Sequence, residues 1–487
     1  MKAKANAEVS ILLEQLLHTR LSVGPGLGPL LFSCVTMHDH HLIKTKRSFF
    51  FSQHPFRSFY RFPLLPEDTS NPPEMAKSQF HHYIPRFILK TFSDDFTLNA
   101  ADNEFVADIS TITKKSELGN GEGNGKGRGS GNKNKGRSRG AVRPPSHYIN
   151  VYQVESRTIV LTDIARAFGV VDLYRETSEE DCMKFEKLLS VLEGVSSAFI
   201  RQIWAGENLS LMRTQLEGMK KFLIIMMYRS EDRRDQYYRE NYDSRVAISA
   251  RKHAAHHKIE KVRDIWFKNL QWLIETPVEV LKKEYDKSFR MEMTEPLTSL
   301  GDHKWPIHIC ELQEFGIMAE NYICIWEAEE GSEFILSEGG FGVWEGDQGV
   351  KFHNFFVISP GYAIVLVNRG FMFGVTYTNL RKPYFGDELR ANPEVKYMKE
   401  PAGSNYTPRD IFKYKTIKVS RQDVFLINGI FLDARSKHLT YRSGISMYKS
   451  LRHYDKVKKE KFQHRHDYTV LERALFAELN RTHQPVE

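Results

Sequence analysis

Cysteine is scarce in this 487-residue chain. Cys34, Cys182, Cys310 and Cys324 lie far apart without a CxxC spacing, which argues against a disulfide framework and a cysteine zinc site. That usage suits a reducing compartment, so a cytoplasmic or nuclear location is expected. Long apolar runs are missing too. The longest, residues 222–228, falls far short of the roughly 20 apolar residues a membrane helix needs, so no membrane association is expected. No catalytic or cofactor signature stands out, and neither a cofactor nor a metal is expected. His253 and His257 are spaced i,i+4 beside His256, but the glutamate of HExxH is absent and lysines surround them, as on a solvated helix face. Acids are almost absent early on: Glu8, Glu14 and Asp39 are nearly the only ones before Glu67.

What is present describes a mainly globular chain. Hydrophobic residues make up 41%, enough for a sizeable core. Lys plus Arg number 69 against 61 acids, a net charge of +8 that permits an anionic partner, nucleic acid included, without naming one. The excess gathers in a Gly/Asn-rich stretch at 117–140 and around Lys456, Lys458, Lys459, Lys461 and Arg465. The 117–140 stretch lacks the apolar surface to offset the entropy of ordering, and lacks the interleaved aromatics that would stack on bases; it is expected to be a disordered insertion. Residues 1–78 are expected to be a poorly ordered extension, with Met75 as an alternative start directly before the first structured motif. The folded domain is then expected over 79–445, followed by a basic helical extension at 446–487.

The densest coincidence of titratable, aromatic and backbone-fixing residues is Phe80-His81-His82-Tyr83-Ile84-Pro85-Arg86-Phe87-Ile88-Leu89-Lys90-Thr91-Phe92. Pro85 suits the first position of a short helix and pushes Ile84 toward an extended conformation. Phe87, Ile88, Thr91 and Phe92 would face a core while Arg86 reaches solvent. His81 and His82 precede the helix, where a neutral imidazole beside Arg86 could act as a base or help hold a phosphate. In the plainer reading, one histidine bonds the turn amides and the other faces water.

Further along, 147–154 and 158–161 read as a hairpin turned at Glu155-Ser156-Arg157. Thr177 and Glu180 make a capping-box pattern ahead of a long helix whose apolar face carries Phe185, Leu188, Leu189, Leu192, Val195, Phe199 and Ile203. Glu186 and Glu193 share another face of it, either as a carboxylate pair or as ordinary solvated glutamates. Helices are expected over 211–241 and 244–273 and after Thr276-Pro277. From about 305 the pattern turns to strands at 322–327, 333–337, 352–358, 362–367 and 409–419. A helix opening at Ser420 and Asp423 follows, then a last helical region at 452–480. The fold class is α+β, a helical middle packed with a mixed, mainly antiparallel β-rich part. Ser337-Glu338-Gly339-Gly340 would place a carboxylate at a strand end beside permissive backbone.

The order of these elements resembles the fungal branch of the family catalogued as domain of unknown function 4238. The likeness opens at His81-His82-Tyr83-Ile84-Pro85-Arg86-Phe87-Ile88-Leu89 and continues through Phe168-Gly169-Val170-Val171-Asp172-Leu173-Tyr174-Arg175 and the stretch from Phe185 to Glu193. It ends with Glu333-Phe334-Ile335-Leu336-Ser337, Phe355-Phe356-Val357-Ile358-Ser359-Pro360 and Val424-Phe425-Leu426-Ile427-Asn428-Gly429-Ile430-Phe431. The resemblance implies a helical middle, a β-rich part and no established activity. Relatives usually read Ser/Thr-Asp-Asn-Pro where this chain has Ser337-Glu338-Gly339-Gly340, so its carboxylate is one methylene longer and the proline is lost.

Three functions follow as expectations. The first is a protein of unknown activity whose motif residues mainly organise the fold. The second is a hydrolase, acting on phosphodiesters, with His81 or His82 as base, Arg86 on the anion and Glu186, Glu193 or Glu338 as carboxylate. The third is nucleic-acid binding without chemistry, through the basic insertion and C-terminal helix.

Overall fold

The computed structural model describes residues 80–93, 147–171, 173, 179–230, 254–255, 258–259, 262–294, 309–339, 341–347, 350–373, 380–390, 393–397, 407–434 and 436–481. The N-terminal extension, the 117–140 insertion, Thr177 and the histidines 253, 256 and 257 lie outside these. The expected α+β class holds.

Strand β1 (Phe80–His82) leads through Pro85 into the short helix α1 (Arg86–Lys90). Of the expected face, Ile88, Thr91 and Phe92 are buried and Phe87 is half-buried against the core; Ile84 and Leu89 are buried as well, and the Thr91 hydroxyl donates to the Ile88 carbonyl. Strands β2 (Tyr148–Gln153) and β3 (Thr158–Asp163) form the expected hairpin, with Arg157 in the left-handed region at φ 56°. Strand β4 (Gly169–Val171) pairs antiparallel with β1 across more than 80 residues of chain, setting His81 opposite Val170 and His82 opposite Gly169. A Cβ on Gly169 would stand 2.5 Å from both the His81 carbonyl oxygen and the Phe80 ring. Gly169→Ala is therefore expected to lower stability by about 1–3 kcal/mol through forced separation of the two strands; a urea midpoint unchanged from wild type would contradict that close approach.

The long helix α2 (Glu179–Trp204) buries Phe185, Leu189, Phe199 and Ile203, but Val195 is exposed rather than on that face. The helix expected from 211 begins at Arg213, and residues 209–212 form strand β5 (Leu209–Met212) instead. Helix α3 (Arg213–Tyr228) is apolar all round over 222–228, and each of those side chains is buried, so the longest apolar run of the sequence is a central core helix rather than an amphipathic one. Around it lie α4 (Val262–Glu275), α5 (Val278–Thr294) and α6 (Ile309–Glu320). The buried Lys221 ties α3 to α4 by donating to the Ile274 and Thr276 carbonyls at 2.9 and 2.8 Å, satisfying acceptors that a helix end leaves open.

The β-rich part holds β6 (Tyr322–Ala328), β7 (Leu336–Ser337), β8 (Phe341–Asp347), β9 (Val350–Ser359), β10 (Tyr362–Val367), β11 (Glu394–Lys396), β12 (Ile411–Tyr414) and β13 (Thr416–Val419). Five of them form a sheet in the order β13-β6-β10-β9-β8, antiparallel except for β13 on β6. The single strand expected at 409–419 is two, because β12 pairs with β5 and β11 while β13 crosses to β6. Only the end of 333–337 enters a ladder. The Phe334 N–H goes instead to the Pro360 carbonyl and the Ile335 N–H to the Asn428 side chain.

Helix α7 (Arg421–Asp433) starts as expected, with the Ser420 side chain accepting from the Asp423 N–H. Strand β14 (His438–Tyr441) then completes a four-stranded sheet in the order β3-β2-β14-β7. The last helical region is two helices, α8 (Gly444–Lys461) and α9 (Thr469–Arg481). The break between them is held by Asp433, whose carboxylate accepts from the backbone N–H groups of Gln463, His464 and Arg465 and from the Tyr454 hydroxyl. Within the basic stretch, Lys458 pairs with Asp455 and Lys461 sits over the Tyr384 ring. Among the described residues, no helix is long and apolar enough to cross a membrane.

Candidate functional site

The opening motif distributes its side chains in several directions, and most of them serve the fold. His82 Nδ1 lies 3.0 Å from the Ala167 carbonyl, and the Tyr83 N–H donates to the Phe168 carbonyl at 3.1 Å. The two carbonyls are consecutive, and Phe168 is a non-glycine residue in the left-handed region at φ 50°. Burial holds the His82 pKa down to about 4, aided by the Arg86 and Arg229 charges and opposed by the Ala167 hydrogen bond. His82 is thus neutral at physiological pH and a poor proton acceptor. His82 thus bonds a carbonyl of the turn rather than its amides. Arg86 is exposed on the first turn of α1, with no ion-pair partner among the described residues.

His81 goes elsewhere. Its Nδ1 stands 3.3 Å from Glu186 Oε1 on α2, and the same oxygen accepts from Arg229 Nη2 at 3.2 Å. The other guanidinium nitrogen, Arg229 Nη1, donates to Glu193 Oε1 at 3.3 Å. The seven-residue spacing of Glu186 and Glu193 brings both carboxylates to one stripe of α2, where they meet Arg229 at the C-terminal cap of α3. A cation is favoured at that helix end, and the side chain is only 4% exposed. The two glutamates are not ordinary surface residues: one buried guanidinium is forked between them.

This arrangement pushes the two carboxyls apart electrically. Burial raises Glu193 to about 7, the Glu186 charge adds to that, and Arg229 only partly opposes it. Burial also pushes Glu186 upward, but the His81 hydrogen bond and Arg229 outweigh it and leave Glu186 below the usual carboxylate range. The pair therefore holds one firmly ionised carboxylate beside one that exchanges its proton near neutrality.

Glu338 belongs to a different group. Just past β7, it accepts from His438 Nδ1 at 2.8 Å, from the Lys437 N–H, and from the Tyr83 hydroxyl at 3.5 Å. The six candidate residues thus divide. His81, Glu186 and Glu193 are brought together; Glu338 is held by Tyr83 and His438; His82 serves the turn at Ala167; Arg86 faces outward. The motif links the two acidic groups, His81 reaching one and Tyr83 the other.

Sequence reasoning missed Arg229 and His438. Arg229 is readable from the sequence, since a charge that closes an all-apolar helical run needs a buried partner. A further polar cluster also went unread. His353 on β9 pairs with Glu345 on β8 at 2.8 Å, Glu345 accepts from Arg381 at 2.5 Å, and Arg390 lies 3.4 Å from His353 Nε2. Arg390 also stacks 3.9 Å over the Phe371 ring, and Phe355, Phe385 and Trp326 surround the imidazole. With His353 and Glu345 both buried, this cluster clamps residues 380–390 onto the sheet.

Among the described residues, no group of three or more His, Cys, Asp or Glu side chains is placed to hold a metal ion. A family model described as "Protein of unknown function (DUF4238)" matches residues 81–443. No curated protein and no solved structure matches the chain.

Proposed function

We propose, from the premise that this chain belongs to the DUF4238 family of proteins of unknown function, that it is a hydrolase whose working acid–base group is Glu193. The family carries no assigned activity, so the geometry of the cluster supports the reading. One observation carries it: a single buried guanidinium divides two carboxylates of one helix into an ionised and a readily protonated member. Pairs of titratable groups pushed apart by their environment are what acid–base catalysis at neutral pH requires. Glu193 then donates its proton to a leaving group; burial chiefly keeps that proton on it, and Glu186, fixed by Arg229 and His81, adds its negative charge to the effect. The exposed Arg86 beside His82 suits an anionic substrate, and a phosphodiester is the class it fits. The rest of the motif builds the fold.

Bis(4-nitrophenyl) phosphate and a panel of carboxylic esters test this. The wild type is expected to hydrolyse the diester, with a rate that falls as pH rises through about 7, where Glu193 loses its proton. Glu193→Gln is expected to lose about 100-fold in kcat, the usual scale for one acid–base group, without loss of stability. Equal rates in both proteins, or an inert wild type, would overturn the reading.

A further inference from the structure

The group around Glu338 carries an assignment of its own. Strands β7 and β14 pair antiparallel with Ser337 opposite Leu439, so the next positions, Glu338 and His438, emerge side by side where the ladder ends. Glu338 is 4% exposed and His438 is 38% exposed, which makes the carboxylate the anchored partner and the imidazole the accessible one. The anchoring is threefold: the Lys437 N–H holds one carboxylate oxygen, and the Tyr83 hydroxyl and His438 Nδ1 share the other. A carboxylate that bonds Nδ1 fixes the proton there and leaves Nε2 with its lone pair. Nε2 has no hydrogen-bond partner among the described residues. The Phe168 ring stands edge-on to the imidazole, with centroids 6.3 Å apart, and limits its rotation. Phe168 is also the residue with left-handed backbone that joins this corner to the motif, and strained backbone of this kind concentrates at functional positions.

We infer that His438 is a general base, oriented by Glu338 and Tyr83, that activates the attacking water in the hydrolysis proposed above; the inference rests on that reading. Nε2 takes one proton from water as the oxygen attacks the electrophilic centre. The bond to the leaving group breaks with its electron pair on the leaving group. Glu193 protonates the leaving group, the imidazolium releases its proton to solvent and Glu193 is reprotonated from solvent, so the hydroxyl of water ends on one product and, in net balance, its proton on the other. Glu338 and Tyr83 touch no substrate and act as positioning residues.

Chemical rescue in the full chain separates a proton acceptor from a structural residue. His438→Ala is expected to lose about 100-fold in kcat on bis(4-nitrophenyl) phosphate with KM held, and added imidazole should restore the rate in proportion to its neutral form. Full activity in the variant, or a loss that imidazole does not restore, would overturn the inference even where Glu193→Gln behaves as proposed. If the wild type hydrolyses no ester, the hydrolase reading fails by itself, and the dyad is then read from the imidazole nitrogens of 15N-labelled protein. A neutral His438 protonated at Nδ1 and bare at Nε2 supports the assignment, and the opposite tautomer overturns it.

Discussion

Replacing Arg229 by methionine is expected to destabilise the protein by about 3 kcal/mol at pH 8, the lower end of what removing one partner of a buried ion pair costs. Methionine keeps the apolar stem, so the loss isolates the guanidinium. Without it, Glu186 and Glu193 face each other on one stripe of α2, and only Glu186 retains a partner, through His81. The lower end applies because Glu186 is 36% exposed and water can reach part of the vacated site. The deficit should shrink toward pH 5, where Glu193 takes up a proton and the like-charge contact disappears. Urea denaturation at the two pH values measures both quantities. A deficit that is small, or that does not depend on pH, would mean that Arg229 does not hold the two carboxylates together.

Glu193→Gln is expected to act in the opposite direction. The folded state raises the pKa of Glu193 from 4.5 to about 7, so it holds the proton more tightly than the unfolded chain does. Below the unfolded value both states are protonated and the group contributes no difference. As pH rises from about 4.5 to 7 the wild type loses stability, reaching about 3 kcal/mol once the half-buried carboxyl is ionised. Glutamine resembles the protonated acid and has nothing to lose, so the variant should match the wild type near pH 4.5 and exceed it by about that amount at pH 8. His82 works against this slope. Its lowered pKa contributes stability that is present above 6.5 and lost as pH falls toward about 4, so the two residues offset one another in the wild type. Removing the Glu193 side should expose the His82 side as a steeper acid limb in the variant. A variant less stable than wild type at pH 8 would show that Glu193 is held as an ionised partner of Arg229.

The sequence made the local elements legible where one side of a segment decides its fate. Pro85 and the apolar spacing after it gave α1; Ser420 and Asp423 gave the start of α7; alternation on either side of Arg157 gave the β2–β3 hairpin. It also placed His81, Glu186 and Glu193 among the candidates, because paired carboxylates on one helical stripe and a histidine before a proline are local patterns. What could not be read was partnership. Periodicity reports that a face is buried without saying against what. The β1–β4 pairing, the Glu338–His438 bond across 100 residues and the reach of Arg229 from one helix to two glutamates on another are all non-local. The same limit explains the strands. Leu209–Met212 is short and shows no strong alternation of its own, and it becomes a strand because β12 arrives beside it. Residues 333–335 have strand composition, yet Asn428 from α7 takes a backbone donor there that a neighbouring strand would have used. His353 was hidden within a run that reads as plain core strand, because its partner Glu345 sits on the next strand.

Carboxyl 13C NMR of the glutamate side chains, followed from pH 4 to 9 in the full chain with Glu193→Gln for assignment, addresses the poised carboxyl itself. The Glu193 resonance is expected to titrate near pH 7 and that of Glu186 below the ordinary carboxylate range. In Arg229→Met the Glu193 midpoint should move higher still, since the charge that opposes its protonation is gone. A Glu193 resonance that titrates near 4.5, like a solvated glutamate, would contradict the account and leave the cluster an ordinary salt-bridge network.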